Sequence, residues 1–221
     1  MSRFTVNTCD QRTPEWFAAR AGRLTGSVAA AMLAGAETAK RRDLLYRLVT
    51  ERLTGQPQED DGFKSAAMTW GTEHEAEALA AYEARTGQIA MPVGFVALNH
   101  MPMGCSPDGV IGDMEGLVSL KCPKTSTHVS YLRANRVPPD YMPQVLCELF
   151  VTGAQWCDFM SYDPRLSEGL QTFLIRYKRD EAAIAAFETK ARAFLAEVET
   201  ELAALQTMGN LSNQLSASVF A

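Results

Sequence analysis

The sequence predicts an α/β (α+β) fold, a mixed central sheet flanked by helices within one domain. Three observations carry that expectation. Segments with helical periodicity interleave with short strand-like runs along most of the chain. Those runs are bounded by Gly, Pro, Asn and Asp, as strands are. The length, 221 residues, suits one hydrophobic core of ordinary size. The domain is predicted to span residues 1–207, with 208–221 as a tail that is mobile or docked on a partner.

The elements follow in order. Thr13-Pro14-Glu15-Trp16 places a Thr N-cap before a Pro at the first helical position, so a short helix should run to residue 20. Gly22 ends it, and Thr25-Gly26-Ser27 opens a second helix to about residue 33. Over 40–53, Leu44, Leu45, Leu48 and Val49 form the buried stripe of an amphipathic helix. A polar loop occupies 54–62, and a long helix over 65–85 closes at Thr86-Gly87. Strands are predicted at 93–98, 103–106, 109–111 and 117–121, the last two joined by a turn at 112–116. Helices near 126–135 and 141–152, strands at 157–162 and 172–177, and an Ala-rich helix over 180–205 complete the pattern.

The 21 Lys and Arg stand against 26 Asp and Glu, a net charge of −5. An acidic total argues against coating nucleic acid broadly. It permits a confined channel whose lining alone is basic, and Lys40, Arg41, Arg42, Lys121 and Lys124 are candidates for such a lining. Cys9, Cys105, Cys122, Cys147 and Cys157 form no CxxC pair and read as reduced core residues. No apolar run approaches the roughly 20 residues of a membrane span. The first residues lack the apolar run of a secretory signal, so a cytoplasmic protein is expected.

The chemistry concentrates in Cys105-Ser106-Pro107-Asp108-Gly109 and Leu117-Val118-Ser119-Leu120-Lys121. If the two runs pair around their turn, Asp108 meets the end of the second. Alternation sets Ser119 and Lys121 on one face and Val118 and Leu120 on the other. An Asp offers oxygen to a hard cation such as Mg²⁺. A neighbouring Lys can orient or deprotonate water, or neutralise phosphate charge. A turn-capping Asp and a solvated edge-strand Lys fit the spacing equally well. In the 65–85 helix, Glu75 aligns with Gly71, Leu79 and Tyr82 on the more apolar stripe, whereas Glu73 and Glu77 fall on the solvated side. A carboxylate turned inward needs a partner or a metal, although a Glu at the edge of a stripe is commoner. His74 has no His nearby and reads as structural.

Five dispersed blocks then occur in one order: Trp16…Arg20…Thr25-Gly26-Ser27, Trp70-Gly71…Glu75, Cys105 to Gly109, Leu120-Lys121-Cys122-Pro123, and Tyr141-Met142-Pro143-Gln144. With Tyr162-Asp163-Pro164-Arg165 they resemble the phage lambda exonuclease family and the related YqaJ-type viral recombinase nucleases, of the PD-(D/E)xK superfamily. The resemblance covers about residues 10–179. It implies a restriction-endonuclease-like core and a processive 5′→3′ exonuclease on double-stranded DNA, leaving 3′ single-stranded tails for annealing. It further implies a toroidal homotrimer, a single-strand annealing protein as partner, and a phage or prophage origin. Asp108 and the Leu120 carbonyl would bind two Mg²⁺ (or Mn²⁺) ions, Lys121 would act on the attacking water, and Glu75 would help hold metal and water. Arg20, Ser27, Ser106 and Gln144 fall where the family binds a 5′-terminal phosphate, with Thr25 beside them. Arg supplies a forked donor, and hydroxyls and an amide complete the shell.

One position departs from the pattern. Ser119 stands where the superfamily carries the acid two residues before the Lys, and a neutral hydroxyl does not supply that charge to a two-cation site. Asp113 and Glu115 lie in the turn and lack the required strand position. The chain is therefore expected to be a weak or inactivated exonuclease; the alternative is a non-catalytic module that binds DNA ends.

Overall fold

The computed structural model describes residues 2–58 and 66–219. In chain order the elements are β1 (Phe4–Asn7), α1 (Pro14–Arg20), β2 (Leu24–Thr25), α2 (Ala29–Met32), α3 (Ala39–Thr54), α4 (Ala66–Glu73), α5 (Glu75–Thr86), β3 (Phe95–Leu98), β4 (Met103–Cys105), β5 (Gly109–Ile111), β6 (Gly116–Lys121), α6 (Thr125–Ala134), α7 (Met142–Thr152), β7 (Trp156–Tyr162), β8 (Thr172–Lys178) and α8 (Glu181–Val219). A 3-10 turn at Gly26–Val28 leads into α2.

Two mixed four-stranded sheets replace the single sheet expected, in the orders β1-β3-β4-β2 and β5-β6-β7-β8. The reason lies in α7, which packs on β3 and β4 of one sheet and on β6 and β7 of the other. Its sequence, MPQVLCELFVT, has one charged residue, and Val145, Cys147, Leu149, Phe150 and Val151 are all buried. A helix apolar on nearly every side belongs inside a protein. Gly153, at φ 80°, ends it in the left-handed conformation that Gly adopts without steric cost.

The second sheet is covered on both faces. Leu117, Phe159 and Cys157 look toward α7 within the main core. Val118, Leu120, Met160 and Tyr162 pack with Ala78 and Tyr82 of α5. The alternation expected for residues 117–121 therefore holds, with Ser119 and Lys121 on the α7 face. Outside these layers, α8 packs on α3 and α7 through Ile184, Phe187, Ala191, Phe194, Leu195 and Val198, all buried. Each of these side chains larger than Ala contributes about 1.5–3 kcal/mol on burial.

Several local expectations change. The helix expected over 65–85 is two helices, because His74 leaves helical geometry (φ −104°, ψ 2°). Its Nδ1 bonds the Trp70 carbonyl at 2.9 Å and its ring stacks on Trp70. His74 is structural, as expected. The short strand β1 was not expected at all. The last helix continues past residue 205 to Val219, so the described part of the tail is helical. The expected loop at 54–62 lies partly outside the described residues, as does the start of the 65–85 helix. All five cysteines are free thiols; Cys105, Cys147 and Cys157 are buried, whereas Cys9 and Cys122 are partly exposed. Among the described residues, no helix is long and apolar enough to cross a membrane.

Candidate active site

The β5–β6 hairpin builds the nucleus of the site. Gly109 pairs with Val118 and Ile111 with Gly116, which puts Asp108 just beyond β5 and beside the far end of β6. The Asp108 amide donates to the Val118 carbonyl at 3.1 Å. Its carboxylate Oδ2 accepts the Leu120 N–H at 2.6 Å. Lys121 Nζ stands 3.9 Å from the same oxygen and 5.3 Å from the centroid of the Tyr141 ring. Asp108 and Lys121 thus meet as the pairing argument required, though the ion pair is loose.

Electrostatics mark this pair as incompletely compensated. Burial raises the Asp108 carboxyl above its ordinary range, outweighing the opposing pull of Lys121 and of the Leu120 N–H. Burial also works to lower Lys121, but Asp108 and then Glu148 overcome it, and the ammonium rises. Together the two shifts describe a cation held by several carboxylates, and carboxylates that lack enough positive charge.

Glu75 reaches the site by a different route from the one expected. It is the first residue of α5, not mid-helix, and its carboxylate is 36% exposed and paired with Arg12 at 2.6 Å. Glu75, Asp108, Leu120, Arg12 and Thr72 line one cleft of ≈540 Å³. A larger hollow of ≈800 Å³ beside Asn7, Arg52 and His100 has no carboxylate in its lining, so the chemistry belongs to the smaller one. Arg12 was missed by sequence reasoning. Its left-handed backbone (φ 70°) is uncommon for a non-glycine residue.

The five residues assigned to phosphate binding come together. Arg20 Nη2 donates to Ser27 Oγ at 3.1 Å and to Thr25 Oγ1 at 3.4 Å. Its guanidinium carbon lies 3.9 Å from the centroid of the Trp16 ring. Trp16 Nε1 in turn donates to Ser106 Oγ at 2.9 Å, which ties Ser106 to the cluster. Gly26 lets the Gln144 side chain approach: a Cβ there would stand 3.4 Å from Gln144 Cγ. Burial, with Arg47 adding repulsion, lowers the Arg20 guanidinium to about 10. Arg20 is thus a half-buried cation facing hydroxyls, with no carboxylate within ion-pair distance among the described residues, a donor set that suits an anion.

The α7 face behind β6 holds a residue that sequence reasoning missed. Gln144 Nε2 donates to Glu148 Oε1 at 2.7 Å, while Glu148 Oε2 is buried without a hydrogen-bond partner among the described residues. Burial, reinforced by Asp108, pushes this carboxyl up to about 8, against the Gln144 hydrogen bond and Lys121. Ser119, the residue in the acid's place, is 1% exposed, and its Oγ is likewise unpartnered. Asp113 and Glu115 are exposed in the turn at the opposite end of β6, so neither replaces the acid. The signal for Glu148 was available: it is the one charge in α7, four residues after Gln144. Among the described residues, no three His, Cys, Asp or Glu side chains are gathered as a closed metal cage.

Comparison with known families matches residues 15–155 to the YqaJ-like viral recombinase domain. This chain belongs to that family. The matched segment contains Arg20, Ser27, Glu75, Asp108, Ser119, Lys121, Gln144 and Glu148, so both clusters except Arg12 lie inside it. Among solved structures, the chain resembles the alkaline exonuclease LHK-Exo from Laribacter hongkongensis, at 41% identity and a TM-score of 0.82, over 90% of this chain and 98% of that one. A complex of LHK-Exo with dAMP matches equally well. A phage related exonuclease from Haemophilus somnus 129PT, at 10% identity, has a TM-score of 0.63 over 83% of this chain and 96% of that chain, and shares the fold. No curated protein matched. The family resemblance read from the sequence is borne out, as is the mixed α/β fold.

Proposed function

We propose that this chain is a divalent-cation-dependent DNA exonuclease. It enters duplex DNA at a 5′-phosphorylated end, degrades that strand processively 5′→3′, and leaves a 3′ single-stranded tail for annealing recombination. One observation carries the reading: Gln144 and Glu148, hydrogen-bonded to each other, lie against Gly26 beside the Arg20 cluster, and Glu148 is within electrostatic reach of Asp108 and Lys121. The kinship to an alkaline exonuclease supports the reaction class, and the dAMP complex of that relative fits hydrolysis that releases 5′-mononucleotides.

Asp108, Glu75, the Leu120 carbonyl and Ser119 would hold Mg²⁺ or Mn²⁺, two ions in the active form. Carboxylate and carbonyl oxygens are the donors hard cations take, and the unmatched oxygen of Glu148 beside them fits positive charge. Such ions polarise phosphoryl oxygens and acidify bound water. The protein's side chains do the rest. Arg20 receives the terminal phosphate, with Thr25, Ser27, Ser106 and Gln144 completing its shell, which sets the strand's register against Asp108. Lys121 orients water and offsets charge gathering on the scissile phosphate. Arg12 steers Glu75, and the Tyr141 ring shields one side of the ammonium.

A ring of three copies around the DNA would supply processivity, because an enclosed strand does not leave between cuts. Lys40, Arg42 and Lys124 are exposed and remain candidates for its basic lining; Arg41 is instead held bidentately by Glu197 of α8 at 2.8 Å. The enzyme would act in the cytoplasm of a bacterial host, encoded by a phage or prophage, beside a single-strand annealing protein.

On strand residues alone, Ser119 leaves the site one carboxylate short, so weak or absent activity follows. The same residue favours a second reading, a non-catalytic module for DNA ends. Ser119→Glu, assayed beside the unsubstituted chain for Mg²⁺-dependent degradation of linear duplex with a 5′-phosphate, separates them. A large gain identifies a disabled exonuclease; two inert proteins that still bind ends identify the module. Strong activity without substitution means that another residue supplies the charge.

A further inference from the structure

We infer that Glu148 of α7 supplies the carboxylate that Ser119 does not, completing the cation site from the helix behind the strand. The inference rests on the exonuclease reading and replaces its expectation of weak activity.

Four observations converge. Glu148 is 1% exposed, yet half of its carboxylate, Oε2, lacks a hydrogen-bond partner among the described residues. A buried carboxylate is destabilising unless it is paired or bound to a cation, and Gln144 satisfies only Oε1. Second, the other unpartnered oxygen of this region is Ser119 Oγ, on the β6 face that packs against α7. Third, Glu148 is within electrostatic reach of both Asp108 and Lys121, the pair around which a cation would sit. Fourth, the acids nearest to Ser119 in sequence do not reach the site: Asp113 and Glu115 are exposed in the turn at the far end of β6.

The placement also gives the helix a second task. Gln144 and Glu148 are one turn apart on α7, so they share a face. One rigid element then carries a phosphate-binding amide and a cation-binding carboxylate, fixing the spacing between the strand end and the scissile bond. A carboxylate on α7 demands a small residue at 119, since a second acid there would add repulsion without a new role.

The test is Mn²⁺ binding to the full chain by calorimetry, comparing the unsubstituted protein with Glu148→Gln, Ser119→Glu and the double variant. The expected result is Mn²⁺ affinity about tenfold or more weaker in Glu148→Gln, restored in the double variant, and not improved by Ser119→Glu alone. Equal affinity in Glu148→Gln overturns the assignment, as does a marked gain in Ser119→Glu alone. That second comparison leaves Glu148 untouched, so it decides even where Glu148→Gln fails to fold. Binding of 5′-phosphorylated duplex ends in EDTA isolates the underlying reading. If the unsubstituted chain binds ends and Mn²⁺ but Glu148→Gln changes neither, only the assignment of Glu148 fails. If it binds neither, the exonuclease reading fails with it.

Discussion

Arg20 is the residue on which recognition of the DNA end turns. Stacked on Trp16 and facing Thr25 and Ser27, it presents a fixed fork that an ammonium does not reproduce. Arg20→Ala is expected to erase the preference for a 5′-phosphate over a 5′-hydroxyl end, and Arg20→Lys to restore it only in part. Competition between the two duplexes for one enzyme measures this directly; an unchanged preference removes the phosphate pocket. Asp163 illustrates a structural charge. It is fully buried and accepts from Arg165 Nε at 2.7 Å. Arg165 also reaches the Pro123 carbonyl and covers the Trp70 ring, so it clamps three of the sequence blocks together. Burial works to raise the Asp163 carboxyl, but hydrogen bonds from Arg165 and Thr125 overcome it and hold it down at about 2. The unfolded value is near 3.9. Its stabilisation is therefore complete above about pH 4 and lost as pH falls toward 2. Asp163→Asn should cost about 1–3 kcal/mol at pH 7 and flatten that acid limb in denaturant melts. Asp108 and Lys121 were legible because one hairpin joins them. Glu148 stood out only as the one charge of α7; its place behind β6 was not legible, because α7 meets that strand only through tertiary packing.

At the scale of elements, α7 is the keel, and the loop before β3 fixes the wall of the cleft. Gly94 lies there, its carbonyl accepting from Trp16 Nε1 at 3.2 Å. A Cβ at Gly94 would stand 2.2 Å from the Cys9 carbonyl oxygen and 2.5 Å from that of Asn7. Both obstacles are backbone, so Gly94→Ala should cost about 2–4 kcal/mol and weaken end binding as Trp16 shifts. Thermal melts and end-binding titrations check the two effects. The same region explains what the sequence concealed. Strand β1 is mostly exposed and, among the described residues, pairs only with β3, so it carries no buried alternation to read. The break at His74 is made by a ring that stacks on its own preceding turn, with no Pro or Gly at the break. By contrast, α1 carried its Thr13 cap and Pro14, and β5 and β6 their turn, in plain local chemistry.

At the scale of the whole molecule, the charge of −5 and the proposed grip on DNA are compatible only if the basic face is confined. A closed ring provides that confinement, and sedimentation equilibrium should give a mass about three times the 24.2 kDa of one chain; a stable monomer contradicts the ring. The cation-dependent exonuclease itself is tested most directly by release of 5′-mononucleotides from linear duplex with a 5′-phosphate, with Mg²⁺ or EDTA, for the unsubstituted chain and Asp108→Ala. Release that requires Mg²⁺ and falls by about a thousandfold or more in Asp108→Ala is the expected result. Release that persists in EDTA or in Asp108→Ala would contradict it, and so would a chain that stays inert with Mg²⁺ and Mn²⁺ alike both unsubstituted and as Ser119→Glu.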